Sequence, residues 1–564
     1  MAVSASAVGA GDWAEHRDHG WLWHAGAIVV ALAVMLPVAA IAWLAVADDE
    51  GIWRHLAATV LPVYVWTTVL LITGVGLGVL VLGTATGWLV ATCAFPGRRW
   101  FEWALLLPLA VPSYIVAYVY TDMLEFAGPV QRALRAVAGW HSARDYWFPE
   151  IRSLGGAVAV LSLALYPYVY LLARAAFLQQ SATAFQASRT LGHGPWRSFL
   201  QVALPMARPA LVVGVSLALM ETLNDFGTVD FFAVPTFTVG IFNVWLNMGS
   251  SAGAAQMSLV LLAIVVALVL AERRARQGRR FSDPRGTASP PVRFPLGRGR
   301  ALAATVACLV PVVLGFVVPA SVLAAYALGH YRTTLEQDYV TLLGHSLHIS
   351  AQAAAVAVVI AVFLAYATRV RGGVVLAGAT RIAAMGYAVP GAVLAVGVLT
   401  VLAGIDNRID GIARSWFGFS TGLLLSGTLA ALTIAYVVRF LALSHGAVEA
   451  GLSGISISMD SAARTLGLRP LKVLVRVHLP LLRGSLATAV ILVFVDTMKE
   501  LPMTLALRPF NYETLATFVY QYATDELLED AALGALTIVV AGIVPVILLS
   551  RTLDLGRRAT AAGS

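Results

Sequence analysis

The sequence contains very little lysine, cysteine or charge of either sign. Of its 564 residues only 12% are Asp, Glu, Lys or Arg, whereas 59% are hydrophobic, and the mean hydropathy is +0.80. A soluble domain carries roughly 25% charged residues, so this composition excludes an ordinary soluble fold. It predicts an integral membrane protein without a sizeable soluble domain. The formal net charge of +8 then fits basic cytoplasmic loops better than a nucleic-acid surface.

The scarcity of lysine and cysteine excludes further kinds of chemistry. Lys472 and Lys499 are the two lysines of the sequence, and neither follows a glycine. A Walker phosphate-binding loop requires Gly-Lys followed by Ser or Thr. This sequence therefore supplies no Walker ATPase, and any ATP hydrolysis belongs to a separate polypeptide. Cys93 and Cys308 each lie inside an apolar run, which indicates core residues and neither a disulfide framework nor a metal site.

Long apolar runs, in contrast, are abundant. Twelve of them are long enough to cross roughly 30 Å of hydrocarbon as a helix. They form two sets of six, at residues 24–47, 60–93, 102–124, 154–178, 208–233 and 254–271, and at 301–328, 341–367, 374–403, 419–442, 483–507 and 530–551. The sequence therefore predicts an all-α polytopic membrane protein. Its first half is expected at 1–271, a basic cytoplasmic linker at 272–300 and its second half at 301–564.

The placement of arginine predicts the orientation in the membrane. If the N-terminus is inside, the linker and the tail with Arg557 and Arg558 are cytoplasmic, and the acidic loop at 525–530 is outside. Both termini are therefore expected in the cytoplasm. Because each half has an even number of spans, the halves are expected to be related by an axis along the membrane normal.

One polar segment between apolar runs occurs twice. It reads QASRTLG from Gln186 and SAARTLG from Ser461, and a Leu-Pro pair follows each copy. Both 467 − 192 and 480 − 205 give 275 residues, so glycine and proline keep one offset. The duplication favours a docking surface over an ordinary solvated loop. The glycines are expected to permit a turn or close approach, and the prolines to end the docking segment and begin the next span. The residues concerned are Gln186, Ala187, Ser188, Arg189, Gly192, Leu204 and Pro205, and Ser461, Ala462, Ala463, Arg464, Gly467, Leu479 and Pro480.

Ionisable residues repeat at the same offset inside the fifth and eleventh apolar runs. The first set is Glu221, Asn224 and Asp225, and the second is Asp496, Lys499 and Glu500. In each set the two acids are four residues apart, which places them on one face of a helix. A charge near the membrane centre costs at least about 2.5 kcal/mol, so such residues mark function. We expect the two faces to meet in a central cavity with four carboxylates and one ammonium.

Two alternatives to a transport path remain for these residues. Lys499 paired with Asp225 or Glu500 would latch a gate without touching substrate. The residues would otherwise lie at the outer end of their spans and contact a binding protein. His345 and His348, three residues apart near an outer boundary, favour interfacial histidines over a metal site, because no further ligand clusters with them.

In the repeated loops the chain resembles the binding-protein-dependent ABC importer permeases, in their fused two-half form. The signature of that family is Glu-Ala-Ala, three residues, Gly, and later an aliphatic residue, any residue and Leu-Pro. Gln186 and Ser461 stand where the family has Glu. The stretches LPLAVPSYIVAYVY from Leu107, NDFGTVDFFAVPTFTVG from Asn224 and MKELPMTLALRPFNYETLATFVY from Met498 look like those of ferric-iron permeases.

The resemblance implies a type I importer permease in a bacterial inner membrane. It implies two separate ABC ATPase subunits, which would bind the ATP, and a substrate-binding protein. The chain itself is expected to be no enzyme, to bind no cofactor and to have no nucleic-acid partner. The implied cargo is ferric iron, which hard oxygen ligands suit. Fused permeases for thiamine, polyamines or phosphonates look broadly similar, and an ion-coupled secondary transporter is the less favoured alternative.

Overall fold

The computed structural model of the chain describes residues 20–46, 51–180, 190, 194–276, 294–336 and 338–562. Nearly all regular structure in these ranges is helical, which confirms the all-α prediction. The one ladder is parallel and two residues long, and it pairs Cys93–Ala94 with Phe294–Pro295. It joins the end of the second span to the start of the second half.

The helices form two sets, of which the first ends at Arg276 and the second begins at Arg298. Those of the first half are Gly20–Leu44, Ile52–Thr59, Leu61–Thr92, Arg98–Ala104, Ser113–Leu124, Pro129–Ala138, Leu154–Gln179, Pro195–Ser198, Leu204–Asn224, Gly227–Phe231, Phe237–Phe242 and Ser251–Arg276. Those of the second half are Arg298–Val312, Val318–Glu336, Tyr339–Arg371, Val374–Ala383, Gly391–Phe417, Leu429–Ser453, Ile457–Thr465, Pro470–Val473, Leu479–Met498, Pro502–Leu507, Leu515–Thr524 and Leu528–Ala562. Short 3-10 helices lie at Leu107–Ala110 and Gly386–Ala388, and π-helical turns at Phe199–Ala203, Asn243–Asn247, Val313–Val317 and Leu474–His478.

Eleven helices of the described ranges are long and apolar enough to cross a membrane. A pair bent by 88°, Arg98–Ala110 with Ser113–Ala138, makes a twelfth span if it is counted as one. Six of these spans precede the 272–300 segment and six follow it. The polytopic, two-half architecture is thus confirmed.

Several predicted span boundaries are wrong. The span predicted at 102–124 is broken, and that at 374–403 is divided between Val374–Ala383 and Gly391–Phe417. The run at 419–442 corresponds to Leu429–Ser453, and those at 208–233 and 483–507 correspond to Phe199–Asn224 and Pro470–Met498. For 208–233 and 483–507 the physical reason is that the apolar runs continue into the short helices Gly227–Phe231 and Pro502–Leu507, which are largely buried inside the protein. Hydropathy measures burial but does not distinguish lipid from protein interior. Residues 419–428 instead form a mostly exposed loop.

The same proline break interrupts both halves. Val111-Pro112 separates the 3-10 turn Leu107–Ala110 from Ser113–Leu124, and Val389-Pro390 separates Gly386–Ala388 from Gly391–Phe417. The structure thus places Pro112 and Pro390 at corresponding positions of the two halves. Proline fixes its own φ and disfavours helical conformation in the residue before it, which explains an interruption at this point.

The halves interlock through their first spans. Helix Gly20–Leu44 of the first half packs against Val374–Ala383 and Gly391–Phe417 of the second. The contact is so close that a Cβ at Gly397 would lie 2.5 Å from the carbonyl oxygen of Pro37. Reciprocally, the turn Val313–Val317 packs against Leu107–Ala110. The first span of each half therefore packs against helices of the other half.

Candidate functional site

Each of the two predicted acid pairs is divided by the end of its helix. Helix Leu204–Asn224 ends one residue before Asp225, and Leu479–Met498 ends two residues before Glu500. The expectation that each pair shares a helical face is therefore wrong. The chain leaves the helix so that the second acid can turn back onto a short helix that follows it.

Asp225 accepts hydrogen bonds from N–H groups at the N-terminus of the short helix Gly227–Phe231, the first-half cap helix. Its Oδ1 accepts hydrogen bonds from the N–H groups of Thr228 at 3.0 Å and Val229 at 3.3 Å. Its Oδ2 accepts from the hydroxyls of Ser113 at 2.5 Å and Thr228 at 2.9 Å. The carboxylate is buried, and these bonds supply acceptors for N–H groups that a helix leaves unpaired.

Glu500 does the same for the second-half cap helix, Pro502–Leu507. Its Oε1 accepts from the N–H of Met503 and its Oε2 from the N–H of Thr504, both at 3.1 Å. The Thr504 hydroxyl donates to Oε2 at 3.0 Å. Asp225 and Glu500 thus bond to residues three and four positions ahead in both halves. Asp225 and Glu500 therefore have the same structural role, which is to cap the short helix that follows each of them.

All six predicted residues nevertheless line one cavity between the halves. Its volume is about 120 Å³. Glu221, Asn224 and Asp225 enter it from the first half, and Asp496, Lys499 and Glu500 enter it from the second. The structure thus brings both predicted sets of residues to one cavity, although not as two intact helical faces.

The sequence analysis missed several polar residues of the cavity, and two of them bond across it. Arg439 and Tyr387 line it from the second half. Arg439 is the only charged residue inside the apolar run predicted at 419–442, and that isolation could have identified it. Tyr387 carried no such signal, because tyrosine is common at the ends of spans.

The latch expected between Lys499 and Asp225 or Glu500 is wrong. Lys499 instead pairs with Asp496, one turn back on the same chain, with Nζ 2.7 Å from Oδ1. The reason is that Asp225 and Glu500 are already turned toward their cap helices, whereas Asp496 is not. An ion pair within one half cannot hold the two halves together.

Other bonds do join the halves across the cavity. The Asn224 Oδ1 accepts from the Gly391 N–H and from Arg439 Nη1, each at 2.6 Å. The Tyr387 hydroxyl donates to Glu221 Oε1. In both cases the acceptor belongs to the first half and the donor to the second.

The carboxylates of the cavity do not form a preorganised metal site. Among the residues that the structure describes, no group of three or more His, Cys, Asp or Glu side chains is placed to hold a metal ion. His345 contacts protein instead: its Nδ1 lies 3.0 Å from the Glu513 carbonyl oxygen, and its ring stacks on Tyr512 with centroids 4.1 Å apart. These contacts agree with an interfacial histidine.

The second repeated loop forms a helix and a sharp turn. Helix Ile457–Thr465 ends in Gly467, which has φ +78°. The N–H of Gly467 donates to the Arg464 carbonyl at 2.9 Å, and that of Leu468 donates to the Ala463 carbonyl at 3.2 Å. This is a Schellman ending, and it explains the glycine through its left-handed backbone. A Cβ at Gly467 would meet nothing within 4 Å, so conformation and not space requires glycine.

The loop presents an exposed face with apolar residues. Ser461, Ala462 and Arg464 are exposed, and Ala463 is buried. Ile457 and Leu466 beside them are 76% and 81% exposed. Large apolar side chains exposed together mark an interaction surface. In the first loop, Gln186, Ala187, Ser188, Arg189 and Gly192 lie outside the described residues.

A buried carboxylate anchors this helix to the protein. Asp460 Oδ2 accepts from Arg369 Nη2 at 2.6 Å and from its Nε at 3.0 Å, and Asp460 Oδ1 lies 2.6 Å from His478 Nε2. Burial raises the pKa of Asp460, but the hydrogen bonds from Arg369 and His478 outweigh it and hold the pKa below its ordinary value. The arginine also donates to the Ile455 carbonyl at 2.8 Å. The anchor therefore ties the loop to the end of span Tyr339–Arg371.

The repeated prolines do not begin their spans, contrary to prediction. Pro205 and Pro480 lie in the first turn of Leu204–Asn224 and Leu479–Met498. A π-helical turn precedes each, and the helix is continuous from Phe199 and from Pro470. Because proline has no N–H and crowds the preceding turn, it is accommodated where the helix is already widened.

The family is decided by a comparison with known proteins. The profile of the binding-protein-dependent transport system inner membrane component matches residues 83–277 and 357–559. The chain belongs to this family. The two matches lie in the two halves, so each half is one copy of the family's permease unit. Members of this family are the membrane components of ABC importers, and its relatives below are transport permeases and not enzymes.

The relatives of this permease differ in the cargo that their names give. The Fe(3+)-transport system permease protein FbpB 2 of Haemophilus influenzae is 24% identical over 491 residues, which are 86% of this chain and 88% of that protein. The molybdenum transport system permease protein ModB of Escherichia coli is 29% identical over 204 residues, 35% of this chain and 86% of that protein. The sulfate transport system permease protein CysT of Escherichia coli is 30% identical over 159 residues, 27% and 52% of the two chains.

Proposed function

We propose that this permease carries ferric iron, delivered by a binding protein, across a bacterial inner membrane. The observation that supports iron most is the extent of the likeness. The Fe(3+) permease matches across both halves, over 86% of the chain, whereas the molybdenum permease matches 35% and the sulfate permease 27%. This likeness across both halves favours ferric iron as the cargo, and molybdate, sulfate, thiamine, polyamines and phosphonates are the alternatives.

The exposed face of the second repeated loop supports coupling to a separate ATPase. One ABC ATPase subunit would seat on Ile457–Thr465 and a second on the first repeated loop. ATP binding would draw the two loops together and open the halves toward the binding protein. The Asp460–Arg369 anchor would carry the motion into span Tyr339–Arg371, because a hydrogen-bonded buried pair moves as one body.

The side chains that line the cavity support a pathway for a hard cation in which the ion is not held at a tight binding site. Glu221 and Asp496 supply oxygen atoms of the kind that ferric iron prefers. Asp225 and Glu500 are committed to their cap helices. A site that chelated the ion tightly would release it slowly, so a cavity without a preorganised ligand set suits a transport step better than a resident site.

Uptake by the reconstituted complex tests the cargo. The permease would be placed in liposomes with its ATPase and binding protein, and ATP-dependent entry of radioactive ferric iron measured. We expect uptake that a tenfold excess of molybdate, sulfate, thiamine or spermidine does not reduce. Competition by one of these, with no iron entry, would assign that compound as the cargo.

The orientation is tested by cysteine labelling from outside sealed cells. We propose that both termini are cytoplasmic, as the arginine placement predicts. Single cysteines in 125–153, 329–340 and 508–530 are expected to react with an impermeant reagent, in a background with Cys93 and Cys308 replaced. Cysteines in 272–300 are expected to react only after the cells are opened. Labelling of that linker in sealed cells would reverse the orientation.

A further inference from the structure

At the cavity, the bonds between the halves all start from one face of one helix, whereas elsewhere the halves are joined by other bonds, such as those from Tyr520 to Asp230 and from Tyr326 to Asp122. Glu221 and Asn224 are three residues apart on Leu204–Asn224, and each accepts from the second half. The donors are Tyr387, Gly391 and Arg439. Gly391 is packed so tightly here that a Cβ would lie 3.0 Å from Glu500 Oε1, 3.1 Å from Arg439 Nη1 and 3.2 Å from Asn224 Oδ1. A side chain at this position would therefore push these three groups apart by a few tenths of an ångström.

The repeated positions in the other half make no such bonds. At the 275-residue offset, Glu221 and Asn224 correspond to Asp496 and Lys499, which pair with each other. The position of Arg439 is Ala164 in the first half, and Ala164 also lines the cavity. The backbone around the cavity is thus repeated in the two halves, but only the Glu221 and Asn224 positions bond to the opposite half, and the corresponding Asp496 and Lys499 positions do not.

Arg439 is held in an unusual state for a buried cation. It is 4% exposed, its Nε has no hydrogen-bond partner, and in the described part of the chain it forms no salt bridge. Its one hydrogen bond goes to the neutral Asn224. The Glu500 carboxylate lies on the other side of Gly391, but it forms no salt bridge with Arg439. A buried charge without a directly paired opposite charge is costly. A neutral partner, unlike a carboxylate, can be exchanged at small cost when the halves move apart.

We propose that Glu221, Asn224, Tyr387, Gly391 and Arg439 form a one-sided clasp that holds the cavity closed, and that Arg439 is the residue whose release opens it. Opening separates Asn224 from Arg439 and Gly391, and Glu221 from Tyr387. It frees one carboxylate and one guanidinium into the cavity at the moment cargo enters.

The clasp is tested by the reactivity of a cysteine in the cavity. Ala164→Cys would be the reporter, in the complex with its ATPase in nanodiscs, without nucleotide and with Cys93 and Cys308 replaced by alanine. Its reaction rate reports how often the cavity opens. Using one cationic and one anionic methanethiosulfonate reagent separates opening from a change in local charge, since only opening moves both rates in the same direction.

Two substitutions are expected to loosen the clasp and one to tighten it. Tyr387→Phe is expected to raise both rates roughly three- to tenfold, the shift that loss of one hydrogen bond produces in a two-state equilibrium. Asn224→Leu removes two hydrogen bonds and is expected to raise both rates at least as much. Asn224→Asp keeps the acceptor and adds the charge that Arg439 lacks, so both rates are expected to fall. A purely structural role would not give opposite signs at one position.

Tyr166→Phe is the matched control, because this buried tyrosine lies outside the cavity and its hydroxyl has no hydrogen-bond partner in the described residues. Its rates are expected to equal those of the parent. Equal rates in all variants, or an increase in Asn224→Asp, would overturn the clasp. The inference rests on the proposed transport path but not on iron, since the labelling uses no cargo. A failed iron assay would leave its result intact.

Discussion

Glu500→Ala is expected to reduce ATP-driven uptake more than tenfold while the permease still assembles with its ATPase. The substitution removes the acceptor for the N–H groups of Met503 and Thr504 and for the Thr504 hydroxyl. Each unsatisfied buried donor costs about 1–3 kcal/mol. The second-half cap helix, Pro502–Leu507, is therefore expected to unwind into the cavity. Uptake in liposomes and coelution of the subunits on size exclusion measure the two effects.

Graded variants separate capping from charge. Glu500→Gln keeps one acceptor oxygen and is expected to retain more uptake than Glu500→Ala. Asp225→Ala is expected to match the Glu500 variant, because it caps the corresponding helix of the first half. Glu449→Gln, at a side chain 69% exposed, is the control and is expected to be neutral. If Glu500→Gln lost as much uptake as Glu500→Ala, uptake would depend on the charge of Glu500 and not on its capping of the helix.

Asp460→Ala is expected to uncouple the ATPase from transport. It leaves Arg369 and His478 buried without their shared carboxylate. Breaking a buried ion pair in this way costs about 3–5 kcal/mol. Helix Ile457–Thr465 is expected to detach from span Tyr339–Arg371. ATP hydrolysis stimulated by the loaded binding protein would then fall to the unstimulated rate, and uptake with it.

Asp145→Ala is the control for this change, since Asp145 is exposed and lies in the loop proposed to face the other side of the membrane.

The stability that the Asp460 anchor contributes depends on pH with a definite sign. The folded pKa of Asp460 lies below its ordinary value of 3.8, so the stability from this anchor is present above that pH. It is lost as the pH falls through the folded pKa. Stimulated hydrolysis that survives in Asp460→Ala would show that the loop is held by other contacts.

The sequence alone determined the class, the twofold architecture and six of the positions that line the cavity. These follow from composition, from the lengths of apolar runs and from residues copied 275 positions apart, and each is a property of the chain read in one dimension. The Asp225 and Glu500 positions were found in this way because charge is rare in an apolar run. The turn at Gly467 was found because its copy recurs.

Only the tertiary structure decided what those residues bond to. Asp225 and Glu500 lie four residues beyond Glu221 and Asp496, yet they are off the helix, because a break costs little when the freed N–H groups find a carboxylate. Arg439 reaches Asn224 from another span, a contact that no spacing encodes. Hydropathy gave wrong boundaries for the spans predicted at 374–403 and 483–507, because residues buried in the protein and residues that face lipid are equally apolar. Partners across an interface depend on how the halves pack, and packing is settled in three dimensions.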